Sequence, residues 1–549
     1  MPRGARGYFA LVLHAHLPFV RHPEHARFLE EDWFFEALTE CYLPLLDVFE
    51  TLASERVPYF VTISLSPTLL SMMCDPLLQQ RYVRYLDERL AALEGERSRT
   101  ARQPALRKVV AYYAGQYAQR RRRFIEHDRL DVTRAFRRLM CAGYLEIITC
   151  AATHGYLPLL AVNEASLYAQ LSMAVRTHMR ILGRRPRGIW LPECGYKRGL
   201  DRILNEFGLD YFFVESHGLL LAEPHARYGV HRPIRTPGGP AAFGRDYASA
   251  QQVWSATDGY PGDPDYRDFY RDVGFDVHAR HIERMRHAGE RGFTGLKYHR
   301  VTGNGARKRL YHPDRAQQRA AAHAEHFLAQ RRAQVEWLTS FFNTPPIVVA
   351  PYDAELFGHW WYEGPQWMDF LLRAMADDGS TVRTIHPSDY LNRYGELQNC
   401  SPPESSWGAG GYHEMWLSEA NDWLYPLLHT AAARMQQLVR ITPQATGTAR
   451  RTLDQAAREL LLAQASDWAF MMKTGTTAAY ATERAKTHLH RFERCARMVE
   501  SGCYDDAYLV EIEGRDNLFS DIDYRMFQPR PWTSFGADAS YLPRYASSR

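Results

Sequence analysis

Seven short runs along the chain are apolar or β-branched almost throughout: 8–13, 58–63, 145–150, 188–191, 211–214, 347–350 and 382–385. Runs of this length without polar alternation are what strands buried on both faces look like. Helix-like segments separate them, so the pattern predicts βα units and a parallel sheet, either open or closed into a barrel. Residues 76–140, rich in Arg, Leu and Ala, read as an inserted helical segment. Residues 232–275 carry many Gly, Pro and Asp with no sustained period, and read as a long active-site loop. Beyond about residue 400 the period turns helical, in "LYPLLHTAAARMQQLV" and "TLDQAARELLLAQASDWAFMM". The expected organisation is a catalytic domain over 1–400 and a mainly helical domain over 401–549, in keeping with a chain of 549 residues.

Each run delivers polar groups at its end. His14 and His16 follow the first, His154 the third, Glu193 the fourth, and Glu215 and His217 the fifth. Asp353 and Glu355 follow the sixth, and His386 and Asp389 the seventh. In a parallel α/β sheet or barrel the strand C-termini share one rim, where active sites are built. Glu193, in "RGIWLPECGY", has basic neighbours in Arg187, Lys197 and Arg198, so taken singly it reads more readily as an ion-pair partner than as a catalytic group. Paired with Asp353, in "APYDAELFGHWWYEG", it meets the need of glycoside cleavage for two carboxyl groups flanking the scissile bond. The "HAH" spacing puts both imidazoles on one side of an extended backbone, fit for a metal or for sugar hydroxyls. A metal needs a third ligand, available from His154 or Asp353. Of Trp360 and Trp361 one is expected in the core, whereas Trp407 and Trp416, in an irregular Gly-rich segment, are expected as exposed platforms for sugar faces. Asp467, among apolar helix residues, needs a partner.

Composition narrows the classes. Net charge is only +4, which argues against nucleic acid or a membrane surface as partner. The basic run "RRRR" at 120–123 reads as a solvated helix face. Aromatic residues at 13% suit stacking on sugar rings. The 8 cysteines form no C-x-x-C pair, so zinc knuckles and thioredoxin-type chemistry lack support, and free thiols in a reducing cytoplasm are expected. The first apolar stretch is broken by His14 and His16 with no cleavage site after it, and no run approaches the ~20 apolar residues of a membrane span. The Pro- and aromatic-containing tail after residue 525 is expected to dock on the body.

"HAHLP", "WLPECGY", "YDAELFGHWW" and "SDWAFMM" resemble, in this order, motifs of glycoside hydrolase family 57. The resemblance runs from about residue 8 to 480 and is closest to the 1,4-α-glucan branching enzymes of that family. It implies a (β/α)7 barrel, a distorted TIM-like fold, with a C-terminal α-helical domain. It implies a retaining mechanism without metal or cofactor, with Glu193 as nucleophile and Asp353 as general acid/base. His14, His16 and His154 become substrate contacts, Trp360, Trp407, Trp416 and Asp467 line a glucan groove, Arg267 contacts sugar, and Tyr247 sits in a covering loop. The implied partner is an α-1,4-glucan, as donor and as acceptor. An α-amylase or a 4-α-glucanotransferase would use the same framework. The HxH spacing also suits a metal-dependent polysaccharide deacetylase, and the aromatics suit a glucan-binding protein without catalysis.

Overall fold

A computed structural model describes residues 5–255, 258–285, 289–303, 308–378 and 381–528; the tail after 528 lies outside these residues. Seven parallel strands run in the order β7-β5-β4-β3-β2-β1-β8. They are β1 (Gly7–Ala15), β2 (Val61–Leu65), β3 (Leu145–Cys150), β4 (Gly188–Trp190), β5 (Tyr211–Val214), β7 (Ala241–Gly244) and β8 (Ile347–Asp353). The short β6 (Ile234–Arg235) pairs antiparallel with β7, and β9 (Val382–Thr384) pairs with Gly7–Phe9 at the base of β1. Just past β7, the Asp246 amide donates to the Val349 carbonyl of β8 at 2.9 Å, which brings the two ends of the sheet together. The result is a distorted (β/α)7 barrel with helices around it and a helical C-terminal region. Strand after strand is buried along its whole length, as the unalternating runs require.

Two features differ from the pattern read along the chain. The run at 382–385 is a strand off the barrel path, whereas β7, inside the segment read as a loop, belongs to it. Only four residues long, largely Ala and Gly, and bracketed by "GGP" and a terminal Gly, β7 has too little apolar weight to register as a run. The helix Tyr247–Trp254 follows at once, capped by the Asp246 carboxylate, which accepts from the Ser249 amide at 2.8 Å. The basic run is also not simply solvated. Arg120 and Arg123, about one turn apart, face the helix Leu43–Ser54 and pair with Asp47, and Arg123 also reaches Glu50.

The helical insert is built from Pro76–Arg99, Pro104–Arg122 and Thr133–Cys141. Its first helix has Pro at N1 and an Asp75 cap on the Leu78 amide at 3.0 Å. In the C-terminal region the helix Gly447–Ala463 is central and packs on Ala478–Ser501. Buried Leu453, Leu460, Leu461 and Phe492 supply the apolar contact, each contributing about 1.5–3 kcal/mol. Gly475, at φ 75°, stops the helix Ser466–Thr474 in a left-handed turn that L side chains disfavour. That helix begins against the barrel. The Ser466 amide donates to the His154 carbonyl at 3.2 Å, and Gly155 bridges Ala465. Ser466 and Asp467 are thereby delivered to the rim of the strand ends. No helix among the described residues is long and apolar enough to cross a membrane.

Candidate active site

Glu193 leaves β4 in a turn where it and Cys194 adopt φ of 63° and 51°, a left-handed backbone that costs a non-glycine residue about 1–2 kcal/mol. The turn is held from across the chain. Trp407 donates its amide to the Glu193 carbonyl at 3.0 Å, and Tyr196 and Ser405 exchange backbone bonds of 2.9 and 3.1 Å. The same Trp407 donates its indole Nε1–H to Glu193 Oε2 at 2.7 Å, and Ser466 Oγ donates to Oε1 at 3.4 Å. Burial pushes the Glu193 carboxyl up to about 8 against the pull of the Trp407 bond, and the charges of Asp353 and Asp467 add to the rise.

Asp353 ends β8, directly opposite His14 in the register. Its side chain keeps an edge open to solvent, but the surrounding protein pushes its pKa up to about 6 while Arg245 and His16 pull it down. Two residues on, Glu355 accepts from Tyr42 Oη and from the His16 amide at 3.3 Å. Burial and the Asp353 charge raise Glu355 to about 8. Glu193 feels the Asp353 charge, whereas the charges acting on Asp353 are those of Arg245 and His16.

The three histidines form one array. His14 and His154 meet Nε2 to Nε2 at 2.9 Å, and His14 Nδ1 lies 3.2 Å from Ser64 Oγ. His16 lies 2.8 Å from Ser66 Oγ through Nδ1 and 3.1 Å from both carboxylate oxygens of Asp467 through Nε2. His154 Nδ1 contacts Ser466 Oγ at 2.8 Å. Burial lowers His14 and His154 well below the ordinary value, so both are neutral. His16, His154 and Asp467, and separately His14, Cys150 and His154, bring ligand atoms within 4.8 Å of one another. In both groups, though, the ring nitrogens are already hydrogen-bonded. The His16 and His154 rings also stack at 3.9 Å and 10°, which directs their lone pairs along parallel planes rather than toward one ion.

The structure thus gathers Glu193, Asp353, His14, His16, His154, Trp407 and Asp467 on one rim, and the partner of Asp467 is His16. Other expected contacts lie elsewhere. Arg267 is fully buried, ion-paired with Glu40, donating to the His359 carbonyl at 2.8 Å and lying over the Tyr362 ring. It braces the turn after Asp353 and has no open face for a sugar. Burial pushes Glu40 up, but Arg267 and His359 hold it down at about 2. Trp416 is no exposed platform: it is 1% exposed and stacks on Tyr156 at 4.3 Å, because the Gly-rich segment folds its indole inward under Gly408. Trp361 is in the core, and Trp360 is half-buried beside Phe269 at 4.9 Å and exposed Tyr270. Tyr247, 60% exposed, opens the helix after β7. Sequence reasoning passed over Ser64, Ser66, Ser466 and Arg245. Ser64 and Ser66, at the end of β2, repeat the spacing of His14 and His16 at the end of β1, a signal present in the sequence; Arg245 follows the strand whose apolar run was too weak to count.

Comparison with known proteins matches residues 10–331 to the family model "Glycosyl hydrolase family 57" and residues 427–527 to the model "1,4-alpha-glucan branching enzyme, C-terminal". The chain is 34% identical over 553 residues to the 1,4-alpha-glucan branching enzyme TK1436 of Thermococcus kodakarensis, covering 94% of this chain and 78% of the relative. Among solved structures, the alpha-amylase AmyC from Thermotoga maritima superposes with a TM-score of 0.89 at 38% identity, covering 96% of this chain and 99% of that one. The GH57-type branching enzyme from Pyrococcus horikoshii superposes with a TM-score of 0.86 at 34% identity, covering 96% and 98%.

Proposed function

The chain belongs to glycosyl hydrolase family 57, and from that premise we propose that it is a 1,4-α-glucan branching enzyme. It cleaves an α-1,4 bond by a retaining double displacement and passes the released chain to a 6-hydroxyl, making α-1,6 branches in a glycogen-like glucan. The observation that carries this reading is the Glu193–Asp353 pair, one acid fixed by Trp407 and Ser466 and the other at the neighbouring mouth of the barrel. The match of 427–527 to a branching-enzyme C-terminal model favours transfer over hydrolysis. Asp353 protonates the glycosidic oxygen as Glu193 attacks the anomeric carbon, and the C–O bond to the leaving chain breaks. The resulting glycosyl ester is opened by an acceptor hydroxyl whose proton goes to Asp353. His14, His16, His154 and Asp467 hold the sugar hydroxyls. We assign the catalytic role to residues 1–400 and completion of the groove to 401–549. The 8 cysteines are all unpaired, in keeping with a cytoplasmic location.

Similarity to an alpha-amylase of Thermotoga maritima makes hydrolysis the second reading. Incubation with amylose, following iodine staining beside new reducing ends, separates the two. A branching enzyme is expected to lower staining while reducing ends scarcely rise, with short chains then released by a debranching enzyme. Reducing ends that rise in step with lost staining make the protein an amylase.

Transfer requires that water be kept from the ester. Tyr247, exposed on the segment past β7, is our candidate for the cover. Tyr247→Ala is expected to raise the ratio of hydrolysis to transfer severalfold, and an unchanged ratio removes Tyr247 from that role.

A further inference from the structure

Glu193 is held by bonds to its own carboxyl group, and Asp353 is not. Among the described residues no hydrogen bond or ion pair reaches the Asp353 carboxyl, so its aim follows its backbone. That backbone leads into a turn seated on an irregular stretch of helix. Between the helices Glu31–Ala37 and Leu43–Ser54 runs a π-helical turn, Leu38–Tyr42, in which the Leu43 amide bonds the Leu38 carbonyl five residues back. Such turns are rare and occur frequently at functional sites. This one presents three consecutive buried side chains to the residues that follow Asp353. The Tyr42 hydroxyl donates to Glu355 Oε1, the Cys41 thiol donates to the Ala354 carbonyl at 2.9 Å, and Glu40 contacts His359 Nδ1 at 2.8 Å. A Cβ at Gly358, φ 112°, would lie 1.7 Å from the Glu40 carbonyl oxygen, so the turn rests directly on the π-helical backbone. From the barrel side, the His16 amide donates to the same Glu355 Oε1 at 3.3 Å.

We propose that Tyr42 is a positioning residue for the acid of the reaction: its hydroxyl pins Glu355 beside the His16 amide, which fixes the turn after β8 and so the direction in which Asp353 reaches the scissile bond. This rests on the retaining transfer proposed above. The grip is applied on both sides of the turn's first peptide. Cys41 holds the carbonyl of Ala354, the residue next to Asp353, and Tyr42 holds the side chain one residue further on. One methylene separates the Asp353 carboxyl from its backbone, so a shift of the turn is carried to the acid almost undiminished. In the first half-reaction that acid gives its proton to the departing 4-oxygen as the C–O bond breaks. In the second it takes the proton of the acceptor hydroxyl. Misplacing such a group by ~1 Å can cost about a hundredfold in rate. Tyr42 is itself buried, bonds to Glu355 rather than to sugar, and acts only through the turn.

The test compares wild type, Tyr42→Phe, Glu355→Gln and Glu355→Ala in the full chain, on amylose and on an α-maltosyl fluoride with a glucan acceptor. Fluoride departs without a proton, so its release in the first turnover reports ester formation independently of the acid. For Tyr42→Phe, kcat on amylose is expected to fall about tenfold with KM little changed, while first-turnover fluoride release stays within about twofold of wild type. The second step uses the same misdirected carboxyl, so a glycosyl adduct should accumulate on the Glu193 peptide. Glu355→Ala should show the same split between donors. Glu355→Gln keeps an acceptor oxygen for Tyr42 and the His16 amide, and should recover most of the amylose rate that Glu355→Ala loses. These two variants carry the test if Tyr42→Phe does not fold. A wild-type rate of Tyr42→Phe on amylose, or equal losses on both donors as general loosening would give, overturns the proposal. So does Glu355→Gln as inactive on amylose as Glu355→Ala, which would make Glu355 the acid. Those results leave the retaining chemistry standing. A product of inverted configuration from the wild type overturns that chemistry, and the role of Tyr42 with it.

Discussion

Glu193→Gln is expected to lower kcat on amylose by at least about a thousandfold while leaving the fold intact. An amide oxygen cannot form the glycosyl ester, and no other carboxylate is held where Trp407 and Ser466 hold this one. The change is also expected to alter stability in a pH-dependent way. Folding raises the Glu193 carboxyl to about 8, and the unfolded chain titrates near ~4.3. Below the unfolded value both states carry the proton and the group contributes its full stability. As pH rises toward 8 the unfolded chain ionises freely but the folded protein resists, so that stability is progressively lost. Glutamine has no proton to lose. The variant should therefore gain thermal stability over wild type, and the gain should grow between pH 4 and 8. A complementary readout is Glu193→Ala supplied with azide and an activated α-glucosyl donor. Azide entering the vacated space attacks from the nucleophile's face and should give a β-glucosyl azide. Activity of Glu193→Gln within tenfold of wild type would remove Glu193 from the chemistry.

The strands that carry His14, Glu193 and Asp353 are legible because burial on both faces demands unbroken apolar runs, and the polar residues just beyond them inherit a common rim from topology alone. β7 escapes the same logic because packing beside β5 and β8 leaves room for Ala and Gly rather than large apolar side chains, and Arg245 is lost with it. Trp416 misleads for a related reason. A tryptophan in a Gly-rich stretch looks exposed only if the stretch is taken as open, and here Tyr156 supplies a buried face for it. Arg267 lies where the family likeness directs it in sequence, but Glu40, more than two hundred residues earlier, captures its charge. Such pairings across the chain carry no local pattern. The left-handed backbone at Glu193, Cys194 and His154 is equally silent in composition, since none of these is glycine.

Asp353→Asn should separate the two half-reactions. With amylose as donor the departing 4-oxygen needs a proton, so loss of the acid is expected to cost about a hundredfold or more. With an α-maltosyl fluoride, whose leaving group departs without protonation, the first step should proceed at close to the wild-type rate. The second step still lacks its base, so the glycosyl ester on Glu193 should accumulate and appear as a mass increment on that peptide. The pH profile sharpens the assignment. In wild type Asp353 is raised to about 6 and Glu193 to about 8, so the free site holds one proton between those values, mostly on Glu193. The working form, with Asp353 protonated and Glu193 ionised, is the minor arrangement of that one-proton state. Activity should therefore fall below about pH 6, where the pair takes up a second proton, and again above about pH 8, where it has lost both. In Asp353→Asn the upper limb disappears because no acid remains to deprotonate. Removing the Asp353 charge also removes one cause of the rise at Glu193, so ester formation from the fluoride should switch on at lower pH than in wild type. A loss of equal size for amylose and fluoride, with no adduct, would show that Asp353 supports the site without donating the proton, and the acid would then have to be sought at Glu355, the other raised carboxyl on the same turn.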